Sequence, residues 1–369
     1  MTPRRCTSFD SSLFVKVFDF FSGCGGASQG FRDAGMEIVF ALDRDIDAQR
    51  TFMENFPDAT FLTKDIRQLD TKDAQLFVNQ ARPNPVLFCG CAPCQPFTKQ
   101  NTTRPESDKD ERFPLILEFL RLIQGCSPDI VFLENVPGIQ KVTLHMNPLN
   151  RFIDGLESAG YQIDCASVYL KSYGVPQSRQ RFLLIASRHG RIKFPPQTHG
   201  PGTPNPKYST VRDWIGKIPE ISAGETHDEI PHHRSAGLSE LNLKRIKSTP
   251  EGGGNLDWPP HLRLRCHLNK VGYSDVYGRM SWDRPAPGLT TRCISYSNGR
   301  FGHPEQDRAI SVREAASLQT FPMDFVFTGN LHSMARQIGN AVPAKLATIF
   351  GLQIIKHLHE TGKKFKDES

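Results

Sequence analysis

From Lys16 to Arg188 short apolar runs alternate with longer amphipathic stretches, and this pattern constrains the fold more than any other feature of the chain. Strand candidates are Lys16–Phe21, Glu37–Leu42, Thr60–Leu62, Val86–Cys89, Ile130–Leu133, Tyr161–Leu170 and Arg181–Ser187. Helical patterns lie between them at Ser28–Ala34, Asp45–Asn55, Lys72–Gln80, Phe113–Gly125 and Asn147–Ala159. Short apolar runs fit strands buried on both faces, and a helix between two such runs carries the chain back to start a parallel neighbour. The pattern predicts a doubly wound α/β fold with a mostly parallel sheet, whose ligands bind beyond the carboxyl ends of the strands. The last two strand candidates lie close in sequence, which predicts an antiparallel hairpin at the sheet edge.

Beyond Arg188 the texture changes. Pro195-Pro196, Pro201-Gly202, Gly252-Gly253-Gly254 and Pro259-Pro260 punctuate a region with little periodicity. The division expected is an N-terminal arm (1–14), a main domain (15–188), a smaller irregular domain (189–290), a segment returning to the main domain (291–361) and a tail (362–369). Helical text resumes at Ser311–Gln319 and from Pro343 to about His359. Residues 191–300 hold 16 Lys plus Arg against 10 Asp plus Glu, so the whole formal surplus of +6 falls there and the rest of the chain balances. A basic segment beside a neutral body suits a polyanion such as nucleic acid. Neither an apolar run of eighteen residues nor a signal-peptide layout is evident, so no membrane role is expected. Nine scattered cysteines do not form a disulfide framework, and a reducing cytoplasm is the expected setting. Cys91-x-x-Cys94 has zinc-ligand spacing but lacks a second pair, so no metal is expected.

The strand ends carry the chemistry. Val86–Cys89 breaks into Gly90-Cys91-Ala92-Pro93-Cys94-Gln95-Pro96-Phe97-Thr98, and Ile130–Leu133 ends in Glu134-Asn135-Val136-Pro137. Parallel neighbouring strands would bring Cys94 and Glu134 to one rim, where a thiol and a carboxyl suit attack on an electron-poor ring followed by proton handling. Phe21-Ser22-Gly23-Cys24-Gly25-Gly26 is a glycine turn between strand and helix, with Ser28 where a dinucleotide fold would place its third glycine. That favours a smaller nucleoside ligand. Asp43 stands where such folds bind ribose hydroxyls, and Asp65-Ile66 offers an acceptor for an adenine amine and an apolar face for its ring.

With these blocks in hand, the chain resembles the DNA (cytosine-5) methyltransferases of prokaryotic restriction-modification type, which use S-adenosylmethionine on the methyltransferase version of this fold. Six motifs occur in the family's order: Phe21–Gly26, Pro93-Cys94-Gln95, Glu134-Asn135-Val136, Gln177-Ser178-Arg179-Gln180-Arg181, Arg313–Gln319 and Gln337–Pro343. The resemblance implies Cys94 as the nucleophile toward carbon 6 of a flipped cytosine and Glu134 as the acid at ring nitrogen 3. It implies Arg181 on the ring carbonyl and Arg179 as support for the loop or base. It implies cofactor contacts from Phe21, Gly23, Cys24, Gly25, Gly26, Asp43, Arg44, Asp65, Ile66, Pro93 and Asn340. Lys99–Arg112 would be a loop closing over the DNA, and Arg313, Glu314 and Gln319 would be structural. Cys24, Cys89 and Cys91 read as packing residues. The segment 189–290 would read the target in double-stranded DNA, offering Arg263, Arg265, Lys270, Arg279 and Arg284, with His232, His233, His261 and His267 as surface or DNA-contacting groups. A monomer is expected, with a cognate restriction endonuclease for the same site as a conceivable partner. An RNA methyltransferase acting on transfer RNA and a catalytically dead binding module are the alternatives.

Overall fold

The computed structural model describes residues 14–92, 115–141, 147–264 and 275–366. Seven strands form one sheet: β1 (Lys16–Phe20), β2 (Glu37–Asp43), β3 (Thr60–Thr63), β4 (Val86–Gly90), β5 (Ile130–Asn135), β6 (Gln162–Tyr169) and β7 (Gln180–Ser187). Their order is β3-β2-β1-β4-β5-β7-β6. The first five are parallel, and β7 lies antiparallel between β5 and β6, so the predicted hairpin forms with β6 at the edge. The order reverses between β1 and β4, which opens a crevice beyond their carboxyl ends.

The connecting helices are α1 (Gly26–Asp33), α2 (Ile46–Asn55), α3 (Thr71–Ala81), α4 (Leu115–Cys126) and α5 (Pro148–Ser158). Side chains alternate strictly along the central strands. Val17, Leu87, Cys89, Ile130, Phe132, Leu183 and Ile185 join one core, and Phe18, Phe20, Val86, Phe88, Val131, Leu133, Phe182 and Leu184 join the other. This period of two is what a sheet buried on both faces requires. Helices start where short polar side chains can accept the free amides of the first turn: Asp45 accepts from Asp47 N at 3.0 Å and Asp70 from Lys72 N at 2.7 Å.

Beyond β7 the chain is largely irregular, interrupted by α6 (Val211–Ile215) and α7 (Glu240–Lys247). Here Ile246, Trp258, Leu262, Tyr296 and Ala309 form a third, smaller core. The Arg245 guanidinium lies 4.9 Å from the Trp258 ring centroid and 5.5 Å from that of Tyr277. Three helices follow, α8 (Val312–Leu318), α9 (Leu331–Asn340) and α10 (Ala344–Lys366). The helical stretch Leu331–Gly362 is long and apolar enough to cross a membrane by length and composition, and 56% of its most apolar window is buried inside the protein. Much of that burial is against α1, where a Cβ on Gly30 would overlap the Ala344 carbonyl and approach the Ala347 methyl to 2.6 Å.

Candidate active site

The site is assembled at the rim where β1, β2, β4 and β5 end. After β1 the chain turns through Phe21 (φ 59°), Gly23 (φ 52°) and Gly25 (φ 93°), left-handed conformations that suit glycine and strain Phe21. The glycines do different things. A Cβ on Gly25 would lie 2.7 Å from the Phe56 ring, and one on Gly26 would overlap the Val342 carbonyl, so both serve close packing. A Cβ on Gly23 would have nothing within 4 Å. The turn is open there, and a ligand can approach its backbone. Cys24 is buried with its thiol toward the Gln337 carbonyl at 3.6 Å, and burial raises its pKa. Only its backbone is available to a ligand.

Asp43 ends β2 beneath this turn. Its carboxylate accepts from Gly23 N at 2.8 Å and Asp45 N at 2.9 Å, and burial pushes its pKa up despite these bonds. It therefore fixes the turn while keeping lone pairs for further donors. Arg44 is exposed beside it. Asp65 is held by its neighbour Arg67, whose guanidinium donates at 2.9 and 2.8 Å, and these bonds lower its pKa. Ile66 is buried in the core, so its side chain is not the free apolar face that the sequence suggests. Asn340 is exposed at the end of α9, next to Gly339, where a Cβ would overlap the Thr290 carbonyl. The open turn, the buried acceptor below it and the unpartnered buried oxygen of Ser22 suit a nucleoside-bearing ligand such as S-adenosylmethionine.

On the other side of the switch point, β4 pairs with β5 up to Gly90 opposite Leu133. One step on, Cys91 N donates to Phe20 O at 3.3 Å, and Ala92 O accepts from Asn135 Nδ2 at 3.4 Å. Asn135 also accepts from Val136 N at 2.7 Å, tying the strand end into the following turn. Glu134 projects beside Cys91. Its carboxylate pairs with the Arg181 guanidinium at 2.6 Å, and both side chains are mostly buried, at 13% and 11% exposed. Burial raises the Glu134 pKa, and the Arg181 charge offsets this only in part. A buried carboxyl with a raised proton affinity is suited to pass a proton to a ring nitrogen while the guanidinium beside it holds a neighbouring oxygen. Pro93, Cys94 and the segment Lys99–Arg112 lie outside the described residues.

The remaining residues of the fourth motif hold the site from behind. Gln177 is fully buried and donates to Leu318 O at 2.8 Å and to Gln319 Oε1 at 2.5 Å, while Leu289 N donates to it at 3.3 Å. Arg179 donates to Leu289 O at 3.1 Å and Gly339 O at 3.4 Å, so it clasps the segment after the irregular region to the end of α9. Arg313 and Glu314 are buried as well. Glu314 takes two 2.7 Å bonds from Arg308, and Arg313 reaches the carbonyls of Pro231, Pro322 and Phe325. Several candidates for DNA contact prove to be internal. Arg279 is 4% exposed and donates to the carbonyls of Thr249, Ile246, His303 and Gln306 and to Asp307. His233 is buried between Ser311 Oγ at 2.9 Å and Pro219 O at 2.8 Å, and His232 accepts from Phe327 N at 3.0 Å. Arg263, Arg284 and His261 are exposed, whereas Arg265, Lys270 and His267 lie outside the described residues. Sequence reasoning passes over Asp19, fully buried in the apolar run of β1 and bonded to Ser28 Oγ at 2.7 Å. A lone acid in the run Lys16–Phe21 is the signal that could have flagged it.

A mostly parallel sheet with this strand order and one antiparallel strand, a glycine turn at one strand end and a guanidinium-paired acid at another define the S-adenosylmethionine-dependent methyltransferase class of fold. Solved structures agree. A prophage-encoded E. coli protein superposes with a TM-score of 0.66 at 24% identity, over 94% of this chain and 99% of that one. A Spodoptera frugiperda DNMT2 mutant gives a TM-score of 0.62 at 19% identity, over 93% and 99%. The sequence is more specific: the chain belongs to the C-5 cytosine-specific DNA methylase family, whose model matches residues 15–356. Type II methylase M.HgiDII of Herpetosiphon aurantiacus is 39% identical over 355 residues, covering 93% of this chain and 97% of that protein. Type II methyltransferase M1.HphI of Haemophilus parahaemolyticus is 31% identical, covering 93% and 87%. The protein is accordingly a DNA (cytosine-5)-methyltransferase of the type II restriction-modification kind.

Proposed function

We propose that the protein methylates carbon 5 of a cytosine flipped out of a specific duplex DNA sequence, through a covalent adduct on Cys94, and so protects host DNA from a cognate restriction endonuclease. The observation that carries this reading is the buried Glu134–Arg181 pair at the rim where β4 and β5 end, since β4 stops at Gly90, only a few residues before Cys94 in the sequence. S-adenosylmethionine, when bound, supplies an electrophilic methyl group. The open turn at Gly23 and the Asp43 carboxylate would hold its nucleoside portion, with Asn340 nearby on the family pattern.

Cys94, as thiolate, forms a bond from sulfur to carbon 6 of the ring, and the former carbon 5–carbon 6 π pair becomes nucleophilic at carbon 5. Glu134 places its proton on nitrogen 3, so no full negative charge builds on the ring, and Arg181 holds the ring carbonyl oxygen. Once carbon 5 carries the methyl group, loss of its proton and cleavage of the sulfur–carbon bond restore the aromatic ring and free Cys94. A stacked base cannot reach this rim, so the cytosine leaves the duplex. Residues 189–290 form the target-reading unit, with exposed Arg263 and Arg284 placed to meet phosphates or guanine edges. The test is transfer of a labelled methyl group from S-adenosylmethionine to duplex DNA and to transfer RNA. Label on DNA that is lost in Cys94→Ser is expected; label on RNA alone, or on neither, contradicts the proposal.

A further inference from the structure

Arg336 stands one residue before the last motif, and the reaction above gives it no part. It is exposed on α9, four residues ahead of the exposed Asn340, so the two share one face of the helix a turn apart. Its guanidinium Nη2 lies 2.9 Å from Asp45 Oδ2 and 3.8 Å from Asp47 Oδ2, at the start of α2. From Asp45 the contacts run on without a gap. Its backbone N–H donates to Asp43 Oδ1 at 2.9 Å, and Asp43 Oδ2 accepts from Gly23 N at 2.8 Å. A single chain of contacts thus joins α9 to the open backbone of the glycine turn. The turn meets the same segment again two residues beyond Asn340, where the Val342 carbonyl lies against Gly26. Neighbouring bonds hold the two elements in line. Asp45 Oδ1 caps α2 through Asp47 N at 3.0 Å, Ser333 Oγ donates to Asp47 Oδ2 at 2.5 Å, and Thr328 N donates to Thr51 Oγ1 at 2.8 Å. Asn55 exchanges bonds with both backbone groups of Val326. Hydrogen bonds are directional where apolar contact is not, so these partners fix where α9 sits relative to β2.

We infer that Arg336 is a positioning residue for the cofactor: through Asp45 it sets the Asp43 carboxylate and the end of α9, with Asn340, in the spacing that a nucleoside between them requires. The inference rests on the reading above in which Gly23, Asp43 and Asn340 receive S-adenosylmethionine. Arg336 itself touches no ligand in this account. Without the ion pair the end of α9 is freer to move off α2, and binding must bring the two sides together again. That ordering cost appears as weaker affinity for the cofactor.

The experiment is calorimetric titration of the full chain, as wild type, Arg336→Ala and Arg336→Lys, with S-adenosylmethionine and with its demethylated product S-adenosylhomocysteine. The Arg336 side chain is 47% exposed, so both variants keep the fold. Arg336→Ala should bind both ligands roughly 3–5-fold more weakly, the span that a half-exposed ion pair can supply. Arg336→Lys keeps a charged donor and should recover most of the loss. In steady-state methylation the KM for S-adenosylmethionine should rise by the same factor while the KM for DNA stays unchanged. The gap between wild type and Arg336→Ala should close in about 1 M salt, where the screening length falls to about 3 Å. Equal affinities in all three proteins, or an equal loss in the Ala and Lys variants, overturn the inference. So does a loss confined to S-adenosylmethionine, which would be the Arg336 charge acting on the sulfonium and not on the nucleoside site. Asp43→Ala separates the two ideas. If it binds both ligands as wild type does, the cofactor site itself is misplaced; if it loses binding while Arg336→Ala does not, only the role of Arg336 fails.

Discussion

Asp19 offers the sharpest quantitative test of the buried face. Burial raises its pKa from 3.8 to about 7, against the lowering effect of bonds to Ser28 and Cys89. The folded protein thus keeps a proton that the unfolded chain releases near pH 4. Between those values the folded state binds more protons, so stability falls as pH rises. At 1.36 kcal/mol per pKa unit, titrating this one group between pH 5 and 8 costs about 2.5 kcal/mol. Asp19→Asn keeps the size and the acceptor for Ser28 Oγ but cannot ionise. Its amide NH₂ would replace the unpartnered Oδ1, a penalty of about 1–3 kcal/mol that does not vary with pH. Urea unfolding of both proteins at several pH values isolates the effect, because every other titrating group is common to the two. The wild type should lose about 2.5 kcal/mol more than Asp19→Asn from pH 5 to pH 8. Two stability curves separated by a constant gap would show that Asp19 is ionised in the fold, and the reasoning would fail.

Two glycines of α1 and its turn should respond in opposite ways. Gly30→Ala drives a methyl into the Ala344 carbonyl and should cost about 1–3 kcal/mol in thermal or urea unfolding. Gly23→Ala meets open space at φ 52°, so it should cost only about 1 kcal/mol of stability while weakening S-adenosylmethionine binding, as read by calorimetry. Arg181→Ala leaves Glu134 buried without its counter-charge and should cost roughly 3 kcal/mol along with methylation; Arg181→Lys should restore little, because one ammonium cannot replace the fork. Arg279→Ala removes the donors that close the irregular region and should speed proteolysis between residues 240 and 310, leaving residues 15–188 resistant.

The central sheet was legible because its strands are short apolar runs whose ends coincide with Gly, Asp or Glu. Strand β5 runs two residues past its apolar run, since pairing with β7 continues at Glu134 opposite Leu183 and Asn135 opposite Phe182. That extension fixes the acid rigidly on the rim, and no local pattern announces it. Helix α9 was passed over although Leu331, Met334, Ala335 and Ile338 fall at helical spacing, because Ser333, Gln337 and Gly339 share its buried face and blur the stripe. The site residues were legible as types at strand ends, but their partners were not. That Arg279 is held by four carbonyls depends on tertiary geometry. The contact of Cys89 with Asp19 depends on register, which a single sequence does not state.

Duplex DNA carrying 5-fluorocytosine at the methylated position probes the central claim directly, since fluorine at carbon 5 blocks the elimination that frees the enzyme. Incubated with S-adenosylmethionine and digested, the protein should yield a peptide containing Cys94 bearing the modified nucleotide, at one adduct per active site. Efficient methylation of the unsubstituted duplex with no adduct on the fluorinated one, or an adduct on another cysteine, would contradict it.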